Sequence, residues 1–354
     1  MKRMLLLAVF VWSLACSLHA LEPGPDDVLV RVVDVGAGLC CVVKMPPAPN
    51  ENRTHYMIYD AGHWEGISRT VEAIEEMIPR ESIIDLMVLS HSDSDHLGAV
   101  KQICDAYTVR RVIHSGMRRD SNTWERANTA ILQEKRDEGC VDINLNYFEF
   151  PPGATYRFGN SFVTMVRGFC TPPEDWGELS SSEYRNAGSV VIRLVLSGSS
   201  VLFCGDSVGR HIGDPTSTCI ATEKFMIRMS PVIPIDSDIV IAPHHGADNA
   251  SSVDFVRAVS PKYVIFSAGH DYDHPTAAAA GRYLDCGVDV KNIFRTDLDD
   301  DESGDDSADE QEDPHRHEWA QGRTPGLFDR RGDDDIDILL RADASFAVAY
   351  HSAD

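Results

Sequence analysis

The 354-residue sequence contains no Cys-x-x-Cys pair, so a structural zinc ribbon or thioredoxin-type redox motif is not expected. It has no internal repeat at a 20–50-residue period, which excludes solenoids and propellers. Basic residues are scarce: 32 Lys and Arg stand against 56 Asp and Glu, a formal charge of −24. Such a surface disfavours non-specific binding to nucleic acid by the body of the protein, although local basic clusters can still form. Long apolar runs are lacking too, except near the start. There, Lys2 and Arg3 precede an apolar run from Met4 to Cys16, followed by Ser17-Leu18-His19-Ala20. This is the layout of a secretory signal peptide over residues 1–20. The competing readings are a buried N-terminal helix and a lipoprotein anchor at Leu14-Ala15-Cys16, the latter disfavoured by Ser13. The mature chain is expected to carry no transmembrane segment and to be secreted or periplasmic.

Eight cysteines remain after Ala20, an even number that permits disulfides in an exported protein, but their spacing matches no small disulfide scaffold. Residues Asp297 to Asp313 hold eleven acids and no base, so the rest of the chain carries about −13. That tract lacks aromatic and β-branched residues, the composition of a solvated, disordered insertion, placed at about 298–335.

Elsewhere the chain alternates short apolar strands with amphipathic helices. Val28 to Gly36, Cys40 to Met45, Tyr56 to Gly62, Ile83 to Ser90 and Val109 to His114 read as strands. Ile67 to Ile78 and Leu97 to Tyr107 read as helices. Later, Ser189–Leu196 with Val201–Cys204, and Ile336–Leu340 with Phe346–Tyr350, read as hairpins. Ile239–Ala242, Tyr263–Ser267 and Val290–Arg295 are further strands, and Val253–Val259 and Thr276–Cys286 helices. Hairpins mixed with covering helices suggest two sheets between helical layers, in one domain over residues 26–354.

The sharpest signal is Ser90-His91-Ser92-Asp93-Ser94-Asp95-His96-Leu97-Gly98, with four candidate metal ligands within six residues after an apolar strand. In an extended loop His91, Asp93 and Asp95 point one way, and His96 turns in at the helix entry. The bland alternative is a solvated polar loop with a helix cap. Asp206 follows the apolar strand Val201-Leu-Phe-Cys, where an unpaired carboxylate is expensive. His244 and His245 follow Ile239-Val-Ile-Ala. Arg110, Arg111, His114, Arg118 and Arg119 surround Ser115-Gly116, where two arginine pairs could clamp phosphate oxygens.

His-x-Asp-x-Asp-His-x-Gly resembles the signature loop of the metallo-β-lactamase superfamily, with Asp93 where the commonest version has a second histidine. The variant is similar to that of the soluble domain of ComEC competence proteins. Asp34-Val-Gly-Ala-Gly, Asp60-Ala-Gly62, Asn186-Ala-Gly-Ser189, Gly205-Asp206, Pro243-His244-His245-Gly246, His274-Pro275 and Arg295-Thr296-Asp297 match in order. Ala37 and Leu39 depart from it, as does the acidic insertion. The resemblance implies an α/β (α+β) αββα four-layer sandwich holding two divalent metal ions, Mn or Zn, with Mg also admissible. It implies His91, Asp93, Asp95, His96, Asp206 and His244 as ligands, with Asp206 as the bridge. Asp95, orienting an activated water, and His274, at a substrate oxygen or leaving group, are then the catalytic residues. His245, Asn186, Arg118 and Arg119 would face substrate. Replacing imidazoles with Asp93 and Asn186 makes the first position oxygen-rich, which favours Mn²⁺. The expected function is metal-dependent hydrolysis of a phosphodiester or nucleic acid. A carboxylic ester or amide (lactam) hydrolase and a non-catalytic metal-binding protein are the alternatives; protein partners are left open.

Overall fold

The computed structural model describes residues 21–147, 151, 153–269, 272, 274–296 and 335–351. The expected signal peptide and nearly all of the acidic insertion lie outside these residues. Seventeen strands and eight α-helices are present among the described residues. The strands are β1 (Val28–Val32), β2 (Cys41–Met45), β3 (His55–Tyr59), β4 (Ile83–Ile84), β5 (Leu86–Leu89), β6 (Thr108–Val109), β7 (Arg111–His114), β8 (Val141–Asn144), β9 (Thr155–Phe158), β10 (Ser161–Arg167), β11 (Val191–Leu196), β12 (Ser199–Phe203), β13 (Ile239–Ile241), β14 (Tyr263–Phe266), β15 (Ile293–Arg295), β16 (Ile336–Leu340) and β17 (Phe346–Tyr350). The helices are α1 (Ile67–Met77), α2 (Ser94–Leu97), α3 (Val100–Ala106), α4 (Asn122–Asp137), α5 (Ser181–Ala187), α6 (Ala221–Met229), α7 (Val253–Val259) and α8 (Ala277–Asp285).

Two large sheets form, ordered β17-β16-β1-β2-β3-β5-β7-β8 and β15-β14-β13-β12-β11-β10-β9. The period-2 alternation of side chains sorts each strand between two cores. Val28, Val30 and Val32 of β1 pack with Ile192 and Leu194 of β11 and Val201 and Phe203 of β12, between the sheets. Leu29 of β1 and Val42 of β2 face the other way, with Ala73, Ile74 and Met77 of α1, Ile103 of α3 and Ile131 of α4. Leu202, Val240, Val264 and Phe266 pack similarly against Phe255 and Val256 of α7 and Tyr283 of α8. The result is the αββα sandwich, helices outside and sheets within.

Each sheet is antiparallel along one half and parallel along the other. The parallel pairs are β3–β5, β5–β7 and β7–β8 in one sheet and β12–β13, β13–β14 and β14–β15 in the other. In open α/β sheets the crevice beyond the carboxyl ends of parallel strands is where polar groups converge, because the loops there escape the ladder. The motifs after β3, β5, β12, β13 and β14 all lie at such ends.

Several sequence expectations are refined. The strand expected over Ile83 to Ser90 splits at Asp85, whose carboxylate engages Arg53, and the first piece pairs with β6 instead. The helix expected over Leu97 to Tyr107 divides into α2 and α3 at Gly98-Ala99. Helix α4 gave little sign of itself, since its buried face is Ala127, Ala130, Ile131 and the charged Glu134. The eight described cysteines are all free thiols.

Candidate metal centre

The signature loop is less extended than expected. Helix α2 begins at Ser94, so Asp95 and His96 sit together in its first turn rather than alternating with His91 and Asp93. Asp95, His96, Asp206 and His245 each offer a ligand atom, and these atoms lie within 4.8 Å of one another. His96 Nε2 is 3.2 Å from Asp206 Oδ1 and 3.7 Å from Asp95 Oδ2. His245 Nε2 is 3.4 Å and 3.6 Å from the same two oxygens. On the other carboxylate oxygen of Asp206, Oδ2, His91 Nε2 and His244 Nε2 each approach to 3.6 Å. Asp206 therefore stands between two groups of imidazoles.

What orients those imidazoles is visible in their second nitrogens. His96 Nδ1 is 2.8 Å from Asp60 Oδ2, and His245 Nδ1 is 2.7 Å from the Ser267 carbonyl. His244 Nδ1 lies 2.6 Å from Asn249 Oδ1. The Ser90 hydroxyl donates to Asp60 at 2.7 Å and so accepts from His91 Nδ1 at 3.0 Å. Each Nδ1 is thus assigned as the donor, and each Nε2 turns a lone pair towards the carboxylates. His91 Nε2, Asp206 Oδ1 and Asn186 Oδ1 are buried and make no hydrogen bond among the described residues. Lone pairs crowded upon carboxylate oxygens repel unless a cation or proton sits among them. The residues present fit a divalent cation, whose imidazole ligands commonly donate their other N–H in this manner.

The electrostatics agree. Burial alone would lower His96, but Asp206, Asp60 and Asp95 hold its imidazole well above the ordinary value. Burial would raise Asp206, yet His96, His245, His244 and His91 together hold it well below. His91 is lowered by burial and by the neighbouring charge on His96. The carboxylates that raise His96 are the ones that would attract a cation to the centre.

The backbone bends to build this. Asp60, His244 and His245 take φ of 58°, 51° and 54°, values that cost non-glycine residues of order 1–3 kcal/mol each. Gly205 has φ 51°, and a Cβ there would meet Ser90 Cβ at 2.5 Å, so the ends of β5 and β12 touch through a glycine. The Asn186-Ala-Gly-Ser189 motif serves both sides of the centre. The Ser189 hydroxyl accepts from the Asp206 amide at 3.0 Å, and Asn186 Nδ2 lies 3.2 Å from His244 Nε2. The His274 ring lies 5.8 Å from that of His244.

A family model for the metallo-beta-lactamase superfamily matches residues 33–270. The chain belongs to the metallo-β-lactamase superfamily. It is similar to the Competence protein ComA of Neisseria gonorrhoeae, 25% identical over 293 residues that make up 77% of this chain and 31% of that protein. It is similar also to ComE operon protein 3 of Bacillus subtilis (strain 168), 24% identical over 195 residues, 54% of this chain and 21% of that protein. The chain thus spans less than a third of the length of either relative. Among solved structures it is similar to CmlA, a diiron beta-hydroxylase from Streptomyces venezuelae, with TM-score 0.43, 16% identity and coverage of 77% and 53% of the two chains. A long form RNase Z from yeast gives TM-score 0.41 at 11% identity, covering 72% and 39%.

Other expected site residues of this metallo-β-lactamase chain lie as follows. Asp93 lies outside the four-residue cluster; its Oδ1 is 2.8 Å from Arg185 Nε and 3.1 Å from Arg119 Nη1. Arg118 is largely exposed, 3.8 Å from Glu125. The expected five-residue basic rim divides. Arg110 and Arg111 stand at the start of β7 and His114 at its end, roughly 10 Å away at the strand rise of 3.3 Å per residue. Arg110 pairs with Asp85 and His114 with Asp142, so neither serves the centre. Asp60, Asn249 and Arg185 were missed by residue-level reasoning. Asp60 alone left a signal, as the polar end of an apolar strand. No described helix is long and apolar enough to cross a membrane.

Proposed function

We propose that the chain is a metal-dependent phosphodiesterase or nuclease. One observation carries the reading: three buried imidazoles, His91, His96 and His245, and the part-exposed His244 direct Nε2 at a single buried aspartate, Asp206, with Asp95 beside it. In this reading Asp95, His96, Asp206 and His245 hold one divalent ion, and His91, Asp206 and His244 bracket a second. When bound, such ions supply a nucleophile from water near neutral pH and charge to stabilise the developing oxyanion. Imidazole and carboxylate together suit Zn²⁺ or Mn²⁺ better than Mg²⁺.

The chain's own groups do the rest. Asp95 Oδ2 faces the centre and orients the attacking water by accepting its hydrogen bond. His274, one ring from His244, donates towards the leaving oxygen. Asn186 aims an amide at the same edge, and Arg119 and Arg118 meet anionic oxygens of the substrate. Membership in the superfamily supports hydrolysis, and the arginines beside the centre support an anionic substrate such as a phosphodiester. The apolar first twenty residues favour action outside the cytoplasm.

The test is a hydrolysis panel covering DNA, RNA, cyclic dinucleotides, bis-p-nitrophenyl phosphate and nitrocefin, run with Mn²⁺, Zn²⁺ or Mg²⁺. Phosphodiester turnover that disappears in Asp206→Ala, with the fold intact by circular dichroism, is the expected result. Turnover of nitrocefin alone would replace this reading with lactam hydrolysis. Undiminished turnover by Asp206→Ala would reject the two-ion centre.

A further inference from the structure

Asp93 occupies the helix N-cap position, where an aspartate side chain ordinarily accepts from a backbone amide of the first turn. It makes no such bond. Its carboxylate is drawn instead to two guanidiniums from other parts of the chain. Arg185, in α5, reaches it through Nε to Oδ1 at 2.8 Å and Nη2 to Oδ2 at 3.4 Å, while Nη1 donates to the Ser181 carbonyl at 2.9 Å. Arg119, after β7, adds Nη1 to Oδ1 at 3.1 Å. Both oxygens of Asp93 therefore already accept from cations.

We infer that Asp93 is a positioning residue for a phosphate-binding clamp formed by Arg119 and Arg185, and contributes no ligand to the metal centre. The side chains of Arg119, Arg185 and Asp93 are 31%, 23% and 15% exposed, so both guanidiniums can be reached from solvent, whereas His91, His96 and His245 are buried. Two arginines against one aspartate leave one net positive charge in a chain of net −24. Arg119 spends a single N–H on Asp93, which leaves its planar fork available for an oxyanion. Arg185 immediately precedes Asn186, whose amide lies 3.2 Å from His244 Nε2, so the clamp adjoins the centre through consecutive residues of α5. Its ligand class is the non-bridging oxygens of a phosphodiester. The inference rests on the phosphodiesterase reading above.

The experiment uses the full chain, stripped with a chelator and titrated with MnCl₂ and ZnCl₂ by calorimetry. Inorganic phosphate is then tested as the anion probe against the metal-loaded protein. Wild type is compared with Asp93→Asn, Asp206→Asn, Arg119→Gln and Arg185→Lys, all checked for folding by thermal melts, with Asp93→Ser as a replacement should Asp93→Asn not fold. Expected is metal affinity in Asp93→Asn within about threefold of wild type, while Asp206→Asn falls by at least the roughly 10–100-fold that loss of a group merely supporting a ligand costs. Arg119→Gln and Arg185→Lys should keep metal affinity and weaken phosphate by about tenfold, as expected for a charge-assisted hydrogen bond. A fall in Asp93→Asn matching that of Asp206→Asn would make Asp93 a ligand and overturn the inference while leaving the centre standing. Unchanged phosphate affinity in both arginine variants would overturn the clamp. Undiminished metal affinity in Asp206→Asn would instead bring down the functional reading itself.

Discussion

Asp60 accepts from the Ser90 amide at 2.6 Å, from the Ser90 hydroxyl at 2.7 Å and from His96 Nδ1 at 2.8 Å, all within the core. One carboxylate thereby sets the proton position of His96 and, through Ser90, that of His91. Asp60→Asn puts an amide donor against these groups, so His96 must move its proton to Nε2, where it faces the centre. The expected consequence is a metal affinity lower by about 10–100-fold, with little loss of helix content. Calorimetric titration decides it; wild-type affinity would mean that the tautomer is held by something else. His245 and His244 separate on the same measurement. His245 belongs to the four-residue cluster, whereas among the described acids His244 Nε2 reaches only Asp206 Oδ2, at 3.6 Å. His245→Ala should therefore cost the first equivalent of metal, and His244→Ala the second.

At the scale of elements, the question is how strand β16 is secured after the chain returns from the acidic stretch. Asp335, just ahead of β16, accepts from the Asp34 amide at 2.7 Å. Beside it, Arg31 of β1 pairs with Asp337 at 2.9 Å and reaches Glu76 of α1 at 2.7 Å, so sheet, helix and returning strand share one charged knot. Burial pushes Asp335 up to about 6, although the Asp34 amide and Arg31 pull the other way. A carboxyl raised in the folded state binds protons that the unfolded chain releases. Its contribution to stability is complete below the ordinary carboxylate range and is lost as pH rises through about 6. Asp335→Asn keeps the acceptor for Asp34 and removes that loss. The variant should match wild type in melting temperature at pH 4 and exceed it at pH 7.5. A deficit at pH 7.5 would show that the charged form is the stabilising one.

Across the whole molecule, charge and architecture separate. Deleting residues 299–313 removes ten acids and no base. The composition of this tract, with Leu298 the nearest large apolar residue, leads to the expectation that the deletion costs no core packing. The expected outcome is an unchanged melting temperature and unchanged turnover of a neutral phosphodiester surrogate. DNA turnover by the two forms at low and high salt then asks whether the tract gates polyanions, since screening is weakest at low ionic strength. Equal rates at low salt would reject the gate.

The strands and the ligand-bearing loops were legible because each depends on local pattern. Val28–Val32 is a run of apolar residues interrupted by Arg31, and His91 to His96 is a dense polar stretch directly after Leu86–Leu89. Helix α4 was not legible, because alanines and a buried glutamate carry its inner face and neither is a strong periodic signal. From sequence, His244 is the expected ligand and His245 the substrate-facing residue, yet it is His245 that joins Asp95, His96 and Asp206 in the four-residue cluster. Adjacent residues at a strand end differ in direction only once φ is known, and here both are left-handed. The partnership of Asp93 with Arg119 and Arg185 was hidden for a related reason, its members being separated by as many as 92 residues. Sequence by itself determined which residue types could gather at the strand ends. Tertiary structure decided which carboxylates face the imidazoles and which face arginine, because long-range packing of the two sheets chooses each group's nearest opposite charge.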